Sequence, residues 1–141
     1  MKGASFGDIP GVRMNEGKSE TILQTSLETV REGVALMRLS GEIDLSSAAG
    51  VTDKFAECAG QGLTDMVVDA TGVTFMDSTG LHALIEGKRL VHDDGIRIYL
   101  VPSPQVRRVL ELVFPEPLFA ARLDSVEEAL AAVDGNSAVG A

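Results

Sequence analysis

The fold of this chain is most constrained by the alternation of short strand-like segments with segments of helical periodicity. Leu23 to Thr29 alternates with polar residues, and Val34 to Leu39 follows after Gly33, so the two segments predict an antiparallel hairpin. Met66 to Val68 and Ile96 to Val101 are apolar on both faces, which is typical of buried strands. Strands separated by helices predict an α/β domain with a mainly parallel sheet and right-handed crossovers.

Four segments have the apolar spacing of amphipathic helices, and each follows a residue that is favourable at a helix start. The predicted starts are Ser46 or Ser47, Ser78, Ser103 with Pro104, and the capping box Ser125 with Glu128. Asp69 to Asp77 is predicted to be a loop, and Leu118 to Ala121 a short last strand. The sequence thus predicts four to five strands and about four helices in one domain.

The ends of the chain differ in composition from its body. Residues 1–20 are rich in glycine and poor in large apolar residues, which predicts a flexible leader; residues 21–134 form the predicted domain and residues 135–141 a flexible tail. The chain has 12 basic and 21 acidic residues, a net charge of −9. Because such a chain repels phosphate backbones and anionic lipids, we expect neither nucleic acid nor membrane as a direct partner. The absence of a secretion signal, together with one unpaired cysteine, Cys58, predicts a cytoplasmic protein.

Most sequence signatures of enzymes are missing. The chain has no glycine-rich dinucleotide or P-loop motif, and Ser78 is not in a GxSxG elbow. His82 and His92 are ten residues apart on one predicted helix, so they face different directions and do not form a metal-binding pair. We therefore expect no metal, no cofactor and no catalytic activity.

The most informative segment is Asp77-Ser78-Thr79-Gly80, which comes after a buried strand and opens a helix. Capping by Asp77 or Ser78 and tight packing at Gly80 would explain these residues without any function. Two adjacent hydroxyl groups beside an acid at an exposed helix start would also suit a phosphoryl acceptor, because backbone N–H groups there can solvate the phosphate. The residue pattern alone leaves both explanations open.

Three segments of the chain, within about Thr21 to Val133, resemble the STAS-domain family, and within it the bacterial anti-sigma factor antagonists. Arg38 to Asp44 is similar to the family's strand followed by Gly-Glu-Leu-Asp, and Val67-Val68-Asp69 with Val73 to Leu81 is similar to its phosphorylation loop. The strand Ile98 to Val101 and the helix Val106 to Val113 resemble the unit that follows. The resemblance implies sequentially ordered parallel strands, with helices packed mostly on one face.

The resemblance also implies a function. Ser78 would be phosphorylated by the partner, an anti-sigma factor that is a serine kinase with an ATP-binding fold, and a PP2C-type phosphatase would reset it. The unphosphorylated chain would bind that partner and free a sigma factor. The residues expected to contact the partner are Asp44, Asp77, Ser78, Thr79, Gly80 and His82. His82 departs from the family, which often has a small residue at that position.

Other functions would require different features of the sequence. An aspartate-phosphorylated receiver-like domain would need a paired acid after its first parallel strand and a late lysine, where this chain has Gly41-Glu42-Ile43-Asp44 and Pro102. A small-ligand or nucleotide-binding module lacks a dedicated phosphate loop here, and an enzyme lacks a base paired with Ser78 other than His82. A STAS partner switch without a sigma factor remains the alternative closest to the leading hypothesis.

Overall fold

The computed structural model of the protein describes residues 22–113 and 121–140. β1 (Leu23–Arg31) and β2 (Val34–Ile43) form the predicted antiparallel hairpin, which turns at Gly33 with a φ of +76°. The other elements follow in the order α1 Ala48–Cys58, β3 Asp65–Met76, α2 Ser78–Asp93, β4 Arg97–Pro102, α3 Pro104–Val113, β5 Ala121–Arg122 and α4 Val126–Gly140.

The five strands lie in the sheet in the same order as in the chain, β1-β2-β3-β4-β5. Only the β1–β2 pair is antiparallel, and each later strand is parallel to the one before it. This confirms the α/β class, the strand number and the antiparallel first strand. In such a sheet the loops after β2 and β3 leave from the same edge.

The sheet has a core on each face. The larger one joins α1, α2 and α3 to the sheet, and the smaller one lies between α4 and the opposite face. The larger core contains Phe55, Leu84 and Leu110 with Met37 and Val68. Within residues 22–113 and 121–140, three helices lie on one face and one on the other, which confirms the prediction that the helices pack mostly on one face.

The predicted loop at Asp69 to Asp77 is wrong for most of its length, because β3 continues to Met76. Its last residues pair with the end of β2, and the register shifts twice, between Arg38 and Ser40 and between Gly41 and Glu42. Each shift places an additional β3 residue in the ladder, so both Val73 and Met76 reach the larger core. Because of these shifts, buried and exposed residues do not alternate regularly along the end of β3. The sequence there therefore lacks the two-residue period that predicts a strand.

The helix starts match the sequence in position, but two of them differ in their hydrogen bonds. In the predicted capping box of Ser125 and Glu128, the Glu128 Oε1 accepts from Asp124 N at 3.1 Å and not from Ser125 N. Ser103 Oγ accepts from Val106 N at 3.2 Å, and Ser125 Oγ accepts from Glu128 N at 3.1 Å, as caps do. Ser47 occupies the cap position of α1, but its hydroxyl donates to the Glu42 carbonyl at 2.8 Å instead of capping. The serine therefore stabilises the loop before the helix.

The predicted domain ends are only partly covered by the described residues. The leader at residues 1–20 and most of the predicted strand Leu118 to Ala121 lie outside them, and β5 is seen at Ala121–Arg122. α4 continues to Gly140, past the boundary predicted between the domain and a flexible tail at 135–141. Once a helix is nucleated, each further residue adds a hydrogen bond at small cost, so weak helix formers can extend it.

Candidate functional site

The site lies where β2 and β3 end side by side. Ile43 and Met76 are partners in the parallel register, so Asp44 and Asp77 are the first residues of two neighbouring loops. The backbone N–H of Asp77 donates to the Ile43 carbonyl at 3.3 Å, which joins the two loops. The structure therefore brings together two predicted site residues that are 33 positions apart in the sequence.

Asp77 and Gly80 both have a structural role at the start of α2. Asp77 is the N-cap residue, and its Oδ1 accepts from Gly80 N at 2.9 Å. Gly80 is buried, and a Cβ atom there would lie 2.2 Å from the Ile43 carbonyl oxygen, so only glycine fits. Gly80 thus holds α2 against the end of β2, and its burial does not suit direct contact with a partner.

Ser78 has no comparable structural role. It is the first residue of α2, it is exposed, and its hydroxyl makes no hydrogen bond within residues 22–113 and 121–140. No acceptor among these described residues pairs with the backbone N–H of Ser78 or Thr79, which is the normal state of a helix start. Thr79 is half-buried beside it. Capping and packing therefore explain Asp77 and Gly80 but leave the Ser78 hydroxyl unexplained.

The loop after β2 presents a carboxylate at the same edge. Asp44 Oδ1 accepts from the Ser46 hydroxyl at 2.7 Å and from Ser46 N at 2.9 Å. These bonds, that of the Ser46 hydroxyl above all, lower the pKa of Asp44 below its ordinary value, because they stabilise the charged form. Asp44 therefore adds a fixed negative charge close to the start of α2.

His82 is exposed one turn after Ser78 on α2. His92 lies in the last turn of the same helix, where a basic group is favourable for the helix dipole, as the sequence predicted. The two histidines are thus far apart, and within the described residues no group of three or more His, Cys, Asp or Glu side chains could hold a metal ion.

Two exposed apolar side chains near this edge were missed by the sequence analysis. Leu45, directly after Asp44, is 80% exposed, and Phe75, two residues before Asp77, is 43% exposed. The sequence does contain a signal for Leu45: it is a large apolar residue between an acid and two serines in a loop, where no periodic pattern directs it into the core. The signal for Phe75 was hidden, because only the register shift in β3 turns it away from the core.

No helix in the described part of the chain combines the length and the apolar character that a membrane crossing demands.

Comparison with known proteins places this geometry in a family. The STAS domain family matches residues 27–129 of the chain. An anti-sigma-F factor antagonist, RsfB of Mycobacterium tuberculosis, is 38% identical over 52 residues, which are 37% of this chain and 43% of that protein. The aligned segment thus spans less than half the length of that relative.

Solved structures match over a larger share of this chain. The crystal structure of an anti-sigma factor antagonist from Mycobacterium paratuberculosis has a TM-score of 0.66 and 26% identity, covering 79% of this chain and 94% of that one. SpoIIAA in its unphosphorylated form, also an anti-sigma factor antagonist, has a TM-score of 0.61 and 28% identity, covering 79% and 99%. SpoIIAA of Bacillus in its phosphorylated form has a TM-score of 0.58 and 25% identity, covering 78% and 99%.

Proposed function

The chain belongs to the STAS domain family, and from this premise we propose that it is an anti-sigma factor antagonist controlled by phosphorylation of Ser78. In the unphosphorylated form it binds an anti-sigma factor that is also a serine kinase, and so releases a sigma factor for transcription. A PP2C-type phosphatase restores this form. The protein itself is a cytoplasmic binding protein and not an enzyme.

The observation that carries the proposal is the isolation of the Ser78 hydroxyl. It is exposed at the start of α2 and has no hydrogen-bond partner in the described chain, so a kinase could reach it without unfolding any element. A phosphate placed there meets backbone N–H groups of a helix start, which favour negative charge. The relatives support the same proposal, since one of them is known in an unphosphorylated and a phosphorylated form.

The charge around Ser78 explains how phosphorylation would release the partner. A phosphoserine adds about 1.5 to 2 negative charges at neutral pH. Asp77 and Asp44 already place carboxylates at this edge, so a partner that binds the unmodified surface would meet a much more negative one. Like-charge repulsion and the desolvation of an unpaired phosphate both weaken binding. We expect weakening of about 100-fold, or roughly 2.7 kcal/mol.

The exposed side chains of Leu45 and Phe75 are the proposed apolar part of the same surface. Large apolar groups at the centre of an interface commonly supply much of its binding energy, and charged groups at its edge supply specificity. Leu45 comes from the loop of Asp44, and Phe75 precedes Asp77, so the four residues belong to one end of the sheet. We therefore expect a partner surface with apolar pockets and donors for carboxylates.

Calorimetric titration with an ATP-binding anti-sigma factor tests the proposal. Wild-type protein and Ser78→Ala should bind with similar affinity, whereas protein phosphorylated at Ser78 should bind about 100-fold more weakly. Thr79→Ala is the matched control, because it removes the neighbouring hydroxyl and should leave phosphorylation by the partner unchanged.

Two results would overturn the proposal. One is phosphate transfer by the partner to Thr79 in place of Ser78, seen in phosphopeptide maps. The other is equal binding of the phosphorylated and unmodified forms. Binding to a partner that controls no sigma factor would instead support the alternative, a STAS switch outside transcription.

A further inference from the structure

We propose that His82 is the counter-ion of the phosphate carried by Ser78, an inference that rests on the proposed function. Both side chains are exposed, and they lie four residues apart on α2. Side chains at this spacing are neighbours on a helix surface, with Cβ atoms about 5 to 6 Å apart. The imidazole is thus within reach of a phosphate on the preceding turn.

The direction of helical side chains strengthens the pairing. In an α-helix the Cα–Cβ bonds tilt toward the N-terminus, so a long side chain covers the turn before its own residue. For His82 that turn is the one that begins with Ser78. A His82 side chain that follows this general direction would cover the turn on which the phosphate is carried.

Within residues 22–113 and 121–140, the carboxylates near the start of α2 already have partners of their own. Asp44, in the loop after β2, accepts from the hydroxyl and the N–H of Ser46. Glu86, one turn after His82, forms an ion pair with Arg89 at 3.0 Å. Asp77 accepts a hydrogen bond from Gly80 N through its Oδ1. α1, the main helical neighbour of α2, meets it through Phe55 at Gly87; of the α1 charges, Lys54 is paired with Glu57, and Asp53 is exposed.

The strands beneath α2 contact its buried side, opposite His82. Their charged residues include Arg38 and Asp69, which pair with each other at 2.8 Å, and Asp65 and Arg97, which pair at 2.9 Å; Glu42 on β2 is exposed. His82 is also the only basic residue in the first two turns of α2. A dianion at Ser78 would therefore find its nearest helical cation in a protonated His82.

The pairing would make the charge of the modified site depend on pH. The second ionisation of phosphoserine has a pKa of about 6, in the range where an imidazole changes charge. When His82 is protonated it favours the dianion and partly neutralises it. Because the phosphate itself carries less negative charge near its own pKa, the repulsion that releases the partner is weaker at pH 6 than at pH 8.

Phosphorus NMR of protein with genetically encoded phosphoserine at position 78 tests this pairing. In the wild-type background the phosphate should titrate at a pH lower by about 0.2 to 0.4 unit than in His82→Gln. His92→Gln is the matched control, since it removes the other exposed histidine of α2, about 15 Å farther along the helix. The control should titrate like wild type, and proton NMR should show phosphate-dependent shifts of the His82 ring and not of the His92 ring.

Equal midpoints in wild type and His82→Gln would overturn the proposal. So would equal shifts in the two histidine variants, because the effect would then come from net charge. Circular dichroism should show that both variants keep the wild-type fold, since both side chains are exposed. Because the phosphoserine is installed during translation, this result is independent of any kinase or partner, and failure of the proposed function would be seen separately in the binding titration.

Discussion

At the scale of single residues, Cys58 shows how burial decides chemistry. Its side chain lies on the core face of α1, and its Sγ contacts the Lys54 carbonyl oxygen at 3.7 Å. Burial, and next the negative charge of Glu57, raise the pKa of the thiol to about 11 from an ordinary 9.0. Since the thiolate is the reactive form, Cys58 behaves as a small apolar residue at neutral pH.

We predict that Cys58 makes stability fall in alkaline solution. The pKa of the thiol is higher in the folded than in the unfolded chain. Its contribution to the free energy of unfolding is therefore fully present below about pH 9 and is lost as the pH rises to about 11. The difference in unfolding free energy between wild type and Cys58→Ala should therefore shrink over that interval in urea titrations. A constant difference would show that the thiol titrates alike in both states.

At the scale of elements, two helical glycines, Gly87 in the interior of α2 and Gly50 in the first turn of α1, have opposite surroundings. Gly87 on α2 is buried against α1, and a Cβ atom there would lie 2.1 Å from Cδ2 of Phe55, a fully buried ring. Gly50 on α1 has no atom within 4 Å of the same position. The first glycine lets two helices approach closely, and the second only costs helix stability.

We predict that alanine has opposite effects at these two sites. Gly50→Ala should stabilise the protein by about 0.5 to 1 kcal/mol, because alanine is the better helix former. Gly87→Ala should destabilise it by about 1 to 3 kcal/mol, because the Phe55 ring must move in a packed core. Urea unfolding of the two variants measures both values. Stabilisation by Gly87→Ala would mean that α1 and α2 pack less tightly than the structure shows.

The elements that sequence reasoning predicted well are those with local signals. The periodicity of Val106 to Val113 and the cap at Ser103 are contained in a few consecutive residues, and both were found correctly. The end of β3 could not be predicted in this way, since Gly72 and Phe75 become strand residues only by pairing with β2, some 30 positions earlier. Propensity cannot reveal a partner that is distant in sequence.

The candidate site likewise combines residues that can be identified from the sequence with contacts that only the fold creates. The sequence singled out Asp77, Ser78 and Gly80, but their different roles depend on Ile43, which accepts a hydrogen bond from Asp77 N and blocks any side chain at position 80. The exposure of Leu45 also depends on how the loop after β2 is held by Ser46 and Ser47. Such contacts arise from the fold and leave no local pattern.

At the scale of the whole molecule, the net charge of −9 is the dominant electrostatic feature. Charges of one sign repel each other more strongly in the compact state than in the unfolded chain. Salt screens this repulsion, with a Debye length of about 10 Å at 0.1 M and about 3 Å at 1 M. The folded protein should therefore be more stable in salt.

We predict that raising NaCl from 0.05 to 0.5 M increases the melting temperature by about 2 to 4 °C, equivalent to about 1 kcal/mol. A triple variant with Glu28→Lys, Asp53→Lys and Asp93→Lys changes exposed residues only and reduces the net charge from −9 to −3. Its melting temperature should depend less on salt. If the melting temperatures of both proteins depend on salt to the same extent, the effect comes from the solvent and not from charge repulsion.

Because the order of strands in the sheet repeats their order in the chain, each strand that leaves the ribosome finds its pairing partner already made. No strand has to wait for a segment synthesised much later, because each parallel strand pairs with its immediate predecessor, as Asp65 does with Val34 and Arg97 with Asp65. β1 and β2 can pair first, and β3 adds to them before β4 exists. The sheet can therefore grow in one direction during translation.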